Sequence, residues 1–128
     1  MSINMVTISG NLTKDSTLRT TAGGFSILSG CVAVNERRKN AAGEWEDHPN
    51  FIDFSIFGKR AEALEQHLKK GTKVCIQGKL RQSAWERDGQ KRSKIEVIAE
   101  EIEFSKKTQA QKPQYVESFY YDEDIPFD

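Results

Sequence analysis

The fold is constrained most by a series of short strand-like segments that a helical segment interrupts once. Segments rich in Val, Ile, Phe and Thr, separated by Gly and polar clusters, predict β-strands. Five strands are predicted, over Met5–Leu12, Phe25–Asn35, Phe51–Phe57, Thr72–Arg81 and Lys94–Phe104. Between the third and fourth, Ala61, Leu64 and Leu68 recur at helical spacing before Gly71, which predicts a helix of about three turns. We therefore expect an all-β domain with one helix.

Three strands, one helix and two strands is the order of the OB-fold, a five-stranded Greek-key barrel that binds oligonucleotides or oligosaccharides on one face. Other small barrels fit the same pattern and stay open. The Asp88-Gly89 pair predicts a type I′ turn between the fourth and fifth strands. Cys31 and Cys75 lie inside apolar strand segments, where free thiols are expected to be buried and structural.

Charge divides the 128-residue chain into a body and a tail. Residues 1–107 carry 18 basic and 14 acidic side chains, whereas residues 108–128 carry one basic and five acidic ones. The tail also lacks helical or strand periodicity, which predicts disorder until a partner binds. We expect a folded domain over 1–107 and an acidic tail over 108–128. The tail's predicted site for partner proteins consists of Asp122, Glu123, Asp124, Ile125, Pro126 and Phe127.

Side-chain alternation divides the two central strands into a core face and a groove face. Ile52, Phe54 and Ile56 of the third strand are expected in the core, and so are Val74, Ile76, Gly78 and Leu80 of the fourth. The opposite faces carry Phe51, Asp53, Ser55 and Phe57, and Cys75, Gln77, Lys79 and Arg81. Exposed aromatic rings stack on bases of any identity, while Lys and Arg hold phosphates. These faces therefore predict a groove for single-stranded DNA without sequence preference.

Two predicted loops add aromatic and basic side chains to this groove. Trp85 lies at the base of the fourth-to-fifth strand hairpin, near Arg92 and Lys94. Trp45 lies in a long loop over residues 35–50, behind Arg37, Arg38 and Lys39. Both loops are predicted to fold over a bound strand.

Plainer interpretations stay open for several of these residues. Phe51 and Phe57 could belong to the edge of the core, Trp45 could pack only its own loop, and the Arg37–Lys39 run could be a solvated charge cluster. The two histidines, His48 and His67, show no metal-ligand spacing, and no phosphate loop or nucleophile motif is present. We expect no catalytic residue, metal or cofactor.

No apolar run reaches the ~18 residues of a membrane span, and the N-terminus lacks the charged and apolar regions of a signal peptide. The sequence therefore predicts a soluble intracellular protein without membrane association.

Several blocks of sequence resemble the bacterial single-stranded DNA-binding protein family. They are NMVTISGNLTKD, FIDFSIFGK, HLKKGTKVCIQGKLR, SAWERDGQKR and the tail YDEDIPFD. The resemblance implies base stacking on Phe51, Phe57 and Trp85. It implies phosphate contacts at Arg19, Lys59, Lys70, Lys79 and Arg81. It also implies a homotetramer in which first strands pair between subunits.

The resemblance further implies a role in DNA replication, recombination and repair, with partner proteins recruited by the tail. The expected location is the bacterial cytoplasm and nucleoid, or a phage-infected bacterium. One family feature is absent, because Arg37 and Arg38 stand where a tryptophan is frequent, so that stacking position is missing or moved to Trp45. Two alternatives are a primosomal or RNA-binding OB module and a purely structural interaction barrel, which would bury Phe57 and Trp85.

Overall fold

The computed structural model describes residues 1–105, which form a β-barrel with a single helix. The elements in chain order are β1 Val6–Leu12, β2 Thr17–Thr20, β3 Ser26–Lys39, β4 Trp45–Phe57, α1 Lys59–Glu65, β5 Lys73–Arg87 and β6 Gln90–Ser105. The predicted tail over 108–128 and the domain boundary at residue 107 lie outside the described residues. Within residues 1–105 there is no helix with the length and apolar character that crossing a membrane requires.

Five of the strands close into a barrel. The order across the sheet is β1-β5-β6-β4-β3, and β3 returns to β1 through the pairs Asn11↔Ala33 and Leu12↔Val32. β4 and β6 run parallel at Phe54↔Val97, while the other neighbours are antiparallel. With α1 between β4 and β5, this is the OB-fold topology, so the predicted fold is confirmed. The short strand β2, which was not predicted, pairs with β3 outside this closed ring.

Two glycines allow the strands of the barrel to approach closely. A Cβ atom on Gly10 would lie 2.0 Å from the Ala33 carbonyl oxygen, and one on Gly78 would lie 2.0 Å from the Ile98 carbonyl oxygen. Gly78 also follows a register shift against β6, of the kind that bends a strand sharply. Because the obstacle at both positions is backbone, no larger residue fits without moving a strand.

The core follows the predicted alternation in β4 and in the first half of β5. Phe54 and Ile56 have 0% exposure, Ile76 also has 0%, and Ile52 is half-buried. The prediction that Leu80 points into the core is wrong, because 47% of its surface is exposed. Leu80 lies where β5 leaves the barrel, and its backbone is hydrogen-bonded in both directions to the Asn4 side chain, at 2.8 and 2.9 Å.

The helix is shorter than predicted. α1 ends at Glu65, with Gln66 as its C-cap, so Lys69 and Lys70 do not lie in its last turn. Leu68 is nevertheless buried, because the chain leaves the helix and turns toward the barrel, where the Leu68 carbonyl accepts the Ser16 N–H at 2.9 Å. The apolar residues therefore keep helical spacing as far as Leu68, although the helix ends at Glu65.

Both predicted loops are antiparallel ribbons that continue the strands beyond the barrel. The predicted loop over 35–50 is wrong, because β3 and β4 stay paired from Asn35↔Pro49 to Lys39↔Trp45. The Asn40 side-chain oxygen closes this β3–β4 ribbon by accepting the Ala42 and Glu44 N–H groups, each at 2.9 Å. Both faces of the ribbon are exposed at its tip, so no apolar alternation marks its strands in the sequence.

The second ribbon joins β5 to β6 and turns at Asp88-Gly89. The two residues have φ angles of 53° and 77°, the positive values that a type I′ turn requires, so the predicted turn is confirmed. Pairing continues to Arg87↔Gln90. This β5–β6 ribbon therefore extends well past the predicted strand ends.

The prediction of two buried cysteines is wrong. Cys31 is half-buried and Cys75 is exposed, and both thiols are free. Cys31 is paired with Asp53 and Cys75 with Ser9, at positions that face the outside of the barrel. The apolar residues next to Cys31 and Cys75 in the sequence did not show which face of the strand each thiol is on.

Candidate nucleic-acid interface

The outer face of β4 forms the centre of the candidate groove. Phe51, Asp53 and Phe57 alternate with the core residues and point away from the barrel, with 66% of Phe51 exposed and Phe57 half-buried. Strand register extends this groove face sideways, since Phe57 pairs with Ile27 and Ile27 pairs with Arg19 of β2. Arg19 is exposed on the same face, two strands from Phe57. Because 66% of its surface is exposed, Phe51 does not belong to the core.

A cluster around Phe57 joins three elements. The Arg81 guanidinium of β5 reaches over the Phe57 ring, with 5.7 Å from its Cζ to the ring centroid. Phe25 packs beside Phe57, with the ring centroids 6.1 Å apart and the planes 30° from parallel. Phe25 is 51% exposed, so it adds an aromatic surface that sequence reasoning had assigned only to a strand. Its place directly after Gly23-Gly24, at a turn, was the signal that could have separated it from the core residues.

The β5–β6 ribbon carries Trp85 on the same face as Arg81. Trp85 pairs with Arg92 and lies close to the ribbon tip. The prediction that it lies at the base of the hairpin is wrong. Its side chain is 42% exposed. The Arg92 guanidinium contacts the Gln90 side-chain oxygen at 3.3 Å, within the same tip. The ribbon therefore presents an indole and a cation together.

The β3–β4 ribbon has less free positive charge than its sequence suggests. Arg37 lies 3.7 Å from the Asp47 carboxylate, and Arg38 is paired with Glu46 across the ribbon. Lys39 lies over the Trp45 ring, with 5.7 Å from its Nζ to the centroid. Trp45 is 58% exposed, so both a packing and a binding role fit its position.

The remaining predicted cations are spread more widely. Lys79 is exposed on the outer face of β5, and Lys94 lies 3.8 Å from the Glu96 carboxylate. Lys59 is the exposed first residue of α1. Lys70 lies beyond the helix, where its backbone N–H donates to Asp15 at 2.8 Å, so this contact ties it to the β1–β2 loop. Lys79 and Lys94 are brought to the groove face, and Lys59 and Lys70 are not joined to it by any described contact.

A shallow hollow of about 160 Å³ opens beside β4 on the groove face. Its lining residues are Lys14, Thr17, Ser29, Gly30, Asp53, Phe54, Lys94 and Glu96. Lys14 is a basic residue of the groove that sequence reasoning missed, because it stands in a polar loop between β1 and β2 with no aromatic neighbour in sequence. In residues 1–105, no three His, Cys, Asp or Glu side chains are grouped to hold a metal ion.

The sequence profile of the Single-strand binding protein family matches residues 3–105, which is most of the chain. The chain belongs to this family. The single-stranded DNA-binding protein of Treponema pallidum is 40% identical over 101 residues, covering 79% of this chain and 57% of its own length. That of Borreliella burgdorferi is 40% identical over 103 residues, covering 79% of this chain and 68% of its own length. The chain therefore spans about three fifths of these relatives.

A solved structure has the same fold as this chain. The deletion mutant of the single-stranded DNA-binding protein from Thermus aquaticus superimposes with a TM-score of 0.72 at 31% identity. The match covers 81% of this chain and 51% of the Thermus chain. The tail residues Asp122 to Phe127, predicted to bind partner proteins, lie outside both the described residues and the match to the family profile.

Proposed function

We propose that this chain binds single-stranded DNA without reading a defined sequence and without catalysing a reaction on it. One observation carries the proposal: Phe51 and Trp85 are exposed on the face of the barrel where Phe57 lies half-buried under Arg81. Nucleobases stack on such rings whatever their identity. Family membership supports the same ligand. A purely structural barrel would have no need to leave 42% of Trp85 and 66% of Phe51 in water.

In this proposal the cations hold the phosphates on either side of the stacked bases. Arg19, Lys79, Arg81, Arg92 and Lys94 lie on or beside the groove face and are assigned this role first. Arg37, Arg38 and Lys39 are assigned it through the β3–β4 ribbon, together with Trp45 as an additional stacking surface. Lys59 and Lys70 are assigned to phosphates further along a longer strand. Phosphate contacts release counterions, so affinity must depend on salt.

The test is a titration of the Trp45→Phe variant, whose remaining tryptophan is Trp85, with oligo-dT. We expect quenching of Trp85 emission, because stacking brings the base into contact with the indole. Affinity should fall about 50-fold between 50 and 200 mM salt for four phosphate contacts, at a slope of about −0.7 per phosphate. Equal-length duplex DNA should compete poorly. Unchanged emission, or preference for the duplex, would contradict the groove, and stronger competition by single-stranded RNA would favour an RNA-binding module instead.

We infer in addition that the chain assembles into a homotetramer. One edge of β1 pairs with β5 from Val6 to Asn11, but the opposite edge pairs with β3 only at Asn11 and Leu12. Among residues 1–105, that second edge has no strand partner from Val6 to Gly10. Exposed strand edges are templates for pairing with another chain. Leu80 and Ile95 also lie on one face of the β5–β6 ribbon with 47% and 63% exposure. Light scattering at micromolar concentration should give the mass of four chains, and a monomer would refute this inference.

The acidic tail is proposed to recruit proteins of DNA replication, recombination and repair. Its acidic residues Asp122, Glu123 and Asp124 would steer it to a basic pocket, and Phe127 would fill an apolar slot, with Pro126 limiting the entropy lost on binding. Such a protein would accompany DNA in the nucleoid of its bacterial or phage-infected host.

For the tail, we expect Phe127→Ala to abolish binding to a recombination helicase or exonuclease, measured by polarization, while DNA affinity stays unchanged. Removing residues 122–128 should leave DNA affinity unchanged or slightly higher, because these carboxylates compete with phosphates. Loss of DNA binding on this deletion would show that the tail belongs to the DNA-binding unit.

A further inference from the structure

The β3–β4 ribbon has two faces that carry different side chains. The pairing of β3 with β4 continues along the ribbon without a register shift, so side chains alternate regularly between the two faces. The face that continues from Phe51 carries Asp47 and Trp45 of β4, with Arg37 and Lys39 of β3 paired to them. Asp47 is four residues from Phe51, roughly 13 Å along the strand at ~3.3 Å per residue. This groove face of the ribbon therefore places a carboxylate between two exposed rings.

Both cations on the groove face of the ribbon are in contact with another side chain. Arg37 Nε lies 3.7 Å from Asp47 Oδ1, and Lys39 Nζ lies 5.7 Å from the centroid of the Trp45 ring. The side chains of Arg37 and Asp47 are 66% and 75% exposed. An exposed ion pair contributes little to the stability of a fold, so its partners can separate while the ribbon stays folded. A phosphate can therefore replace the Asp47 carboxylate beside Arg37.

We propose that Asp47 takes the place of a phosphate, holding Arg37 on the groove face until single-stranded DNA displaces it. The inference rests on the proposed function, since it concerns the regulation of the same groove. In the free chain the Arg37–Asp47 pair makes this part of the ribbon electrically neutral. When DNA reaches the ribbon, a phosphate binds Arg37 and the Asp47 carboxylate returns to water. Asp47 thereby weakens the hold of the ribbon on DNA and makes its release easier.

This exchange of one anion for another has its own dependence on salt. Salt screens the Arg37–phosphate contact and the Arg37–Asp47 pair alike, because both are exposed ion pairs. Replacing one by the other therefore adds little to the fall of DNA affinity with salt. A cation without a competing carboxylate adds a slope of about −0.7 for each phosphate that it neutralises on a single strand. The Arg37–Asp47 pair is thus measurable as a missing part of the salt dependence.

The test is the Asp47→Asn variant of the full chain, titrated with labelled oligo-dT between about 50 and 200 mM salt. We expect its affinity at the lower salt concentration to rise about two- to fivefold, the equilibrium effect of one exposed ion pair. The plot of log affinity against log salt should steepen by about 0.7, because Arg37 then meets a phosphate without a competing carboxylate. Polarization of the labelled oligo-dT measures both changes.

Glu46→Gln is the matched control for this variant. Glu46 is the neighbour of Asp47 on β4, but it lies on the opposite face of the ribbon, where it accepts a hydrogen bond from Asn40 Nδ2 at 3.0 Å. Within residues 1–105 it forms no ion pair. Both substitutions remove one negative charge, so the general attraction of a polyanion changes similarly in both. Only Asp47→Asn should release a cation, and it should therefore give the larger affinity and the steeper slope.

A second background ties the effect to Arg37. In the Arg37→Gln variant, Asp47→Asn and Glu46→Gln should change affinity and slope equally, because no guanidinium is left to release. A larger effect of Asp47→Asn that persists in this background would exclude Arg37 as the group that Asp47 holds. Equal effects of the two substitutions in the otherwise unaltered chain would overturn the role of Asp47 and leave DNA binding intact. Absence of oligo-dT binding by the unaltered chain would instead overturn the proposed function.

Discussion

Alanine at Phe51 and Trp85 together is expected to weaken oligo-dT binding by about 2–6 kcal/mol, since each lost stacking surface removes about 1–3 kcal/mol. Both side chains are exposed, at 66% and 42%, and neither belongs to the buried core, so their removal leaves the barrel core intact. Polarization with labelled oligo-dT measures the loss. Each single variant should show roughly half of it in free energy, because the two rings lie on different elements.

The matched control for this pair is Ile95→Ala. Ile95 is 63% exposed, but it pairs with Gln82 and so lies on the face of the β5–β6 ribbon opposite to Trp85. We expect its DNA affinity to equal that of the unaltered chain when light scattering gives the same mass for both. A change below a few tenths of a kcal/mol in the double variant, with its circular dichroism unchanged, would remove both rings from the binding surface.

Replacing Phe54 by alanine is expected to lower the free energy of unfolding by about 3–5 kcal/mol. Phe54 has no exposed surface and packs where β4 lies between β3 and β6. A domain of this kind has only about 5–15 kcal/mol of stability. Urea unfolding followed by circular dichroism measures the change, and the outer residues Phe51 and Phe57 should lose their fixed spacing as β4 loosens.

A second substitution tests whether packing against Gly30 causes this loss. A Cβ on Gly30 would lie 2.6 Å from Phe54 Cζ, so Gly30→Ala should destabilise the unaltered chain. In a Phe54→Leu background the shorter side chain leaves room for that methyl group, and Gly30→Ala should cost less or become favourable. A double-mutant cycle measures the coupling. Simple additivity of the two changes would contradict the contact.

Alternation predicted the barrel and much of its groove face because it reports burial directly. Phe54 and Ile56 are buried as expected, and Phe51 is exposed on the other face of the same strand. Asp88-Gly89 was predictable because few residue pairs adopt two successive positive φ angles. These features depend on residues close together in the sequence, so they can be predicted without knowing the tertiary contacts.

The remaining features depend on contacts between distant segments. Paired charges such as Arg37 and Asp47 extend the β3–β4 ribbon, but with both faces in water they leave no apolar period in the sequence. Helix α1 ends at Glu65, and Leu68 beyond it is buried in the barrel core without being part of the helix. Phe25 joins the groove only because a turn brings it against Phe57. Lys14 reaches the hollow in the same non-local way.

If DNA stacks in the groove as proposed, the guanidinium over Phe57 predicts which end of the DNA is released first. Phe51 offers an open ring, whereas a base arriving at Phe57 must share or replace Arg81, which lies 5.7 Å from the ring centroid. A cation over an exposed ring contributes about 0.5–1 kcal/mol, so stacking at Phe57 gains less by that amount. When a strand lifts from this end, Arg81 returns to the Phe57 ring. We therefore expect bound DNA to peel first from Phe57 and last from Phe51, which leaves the Phe57 end of the strand open to an incoming protein while the rest stays protected.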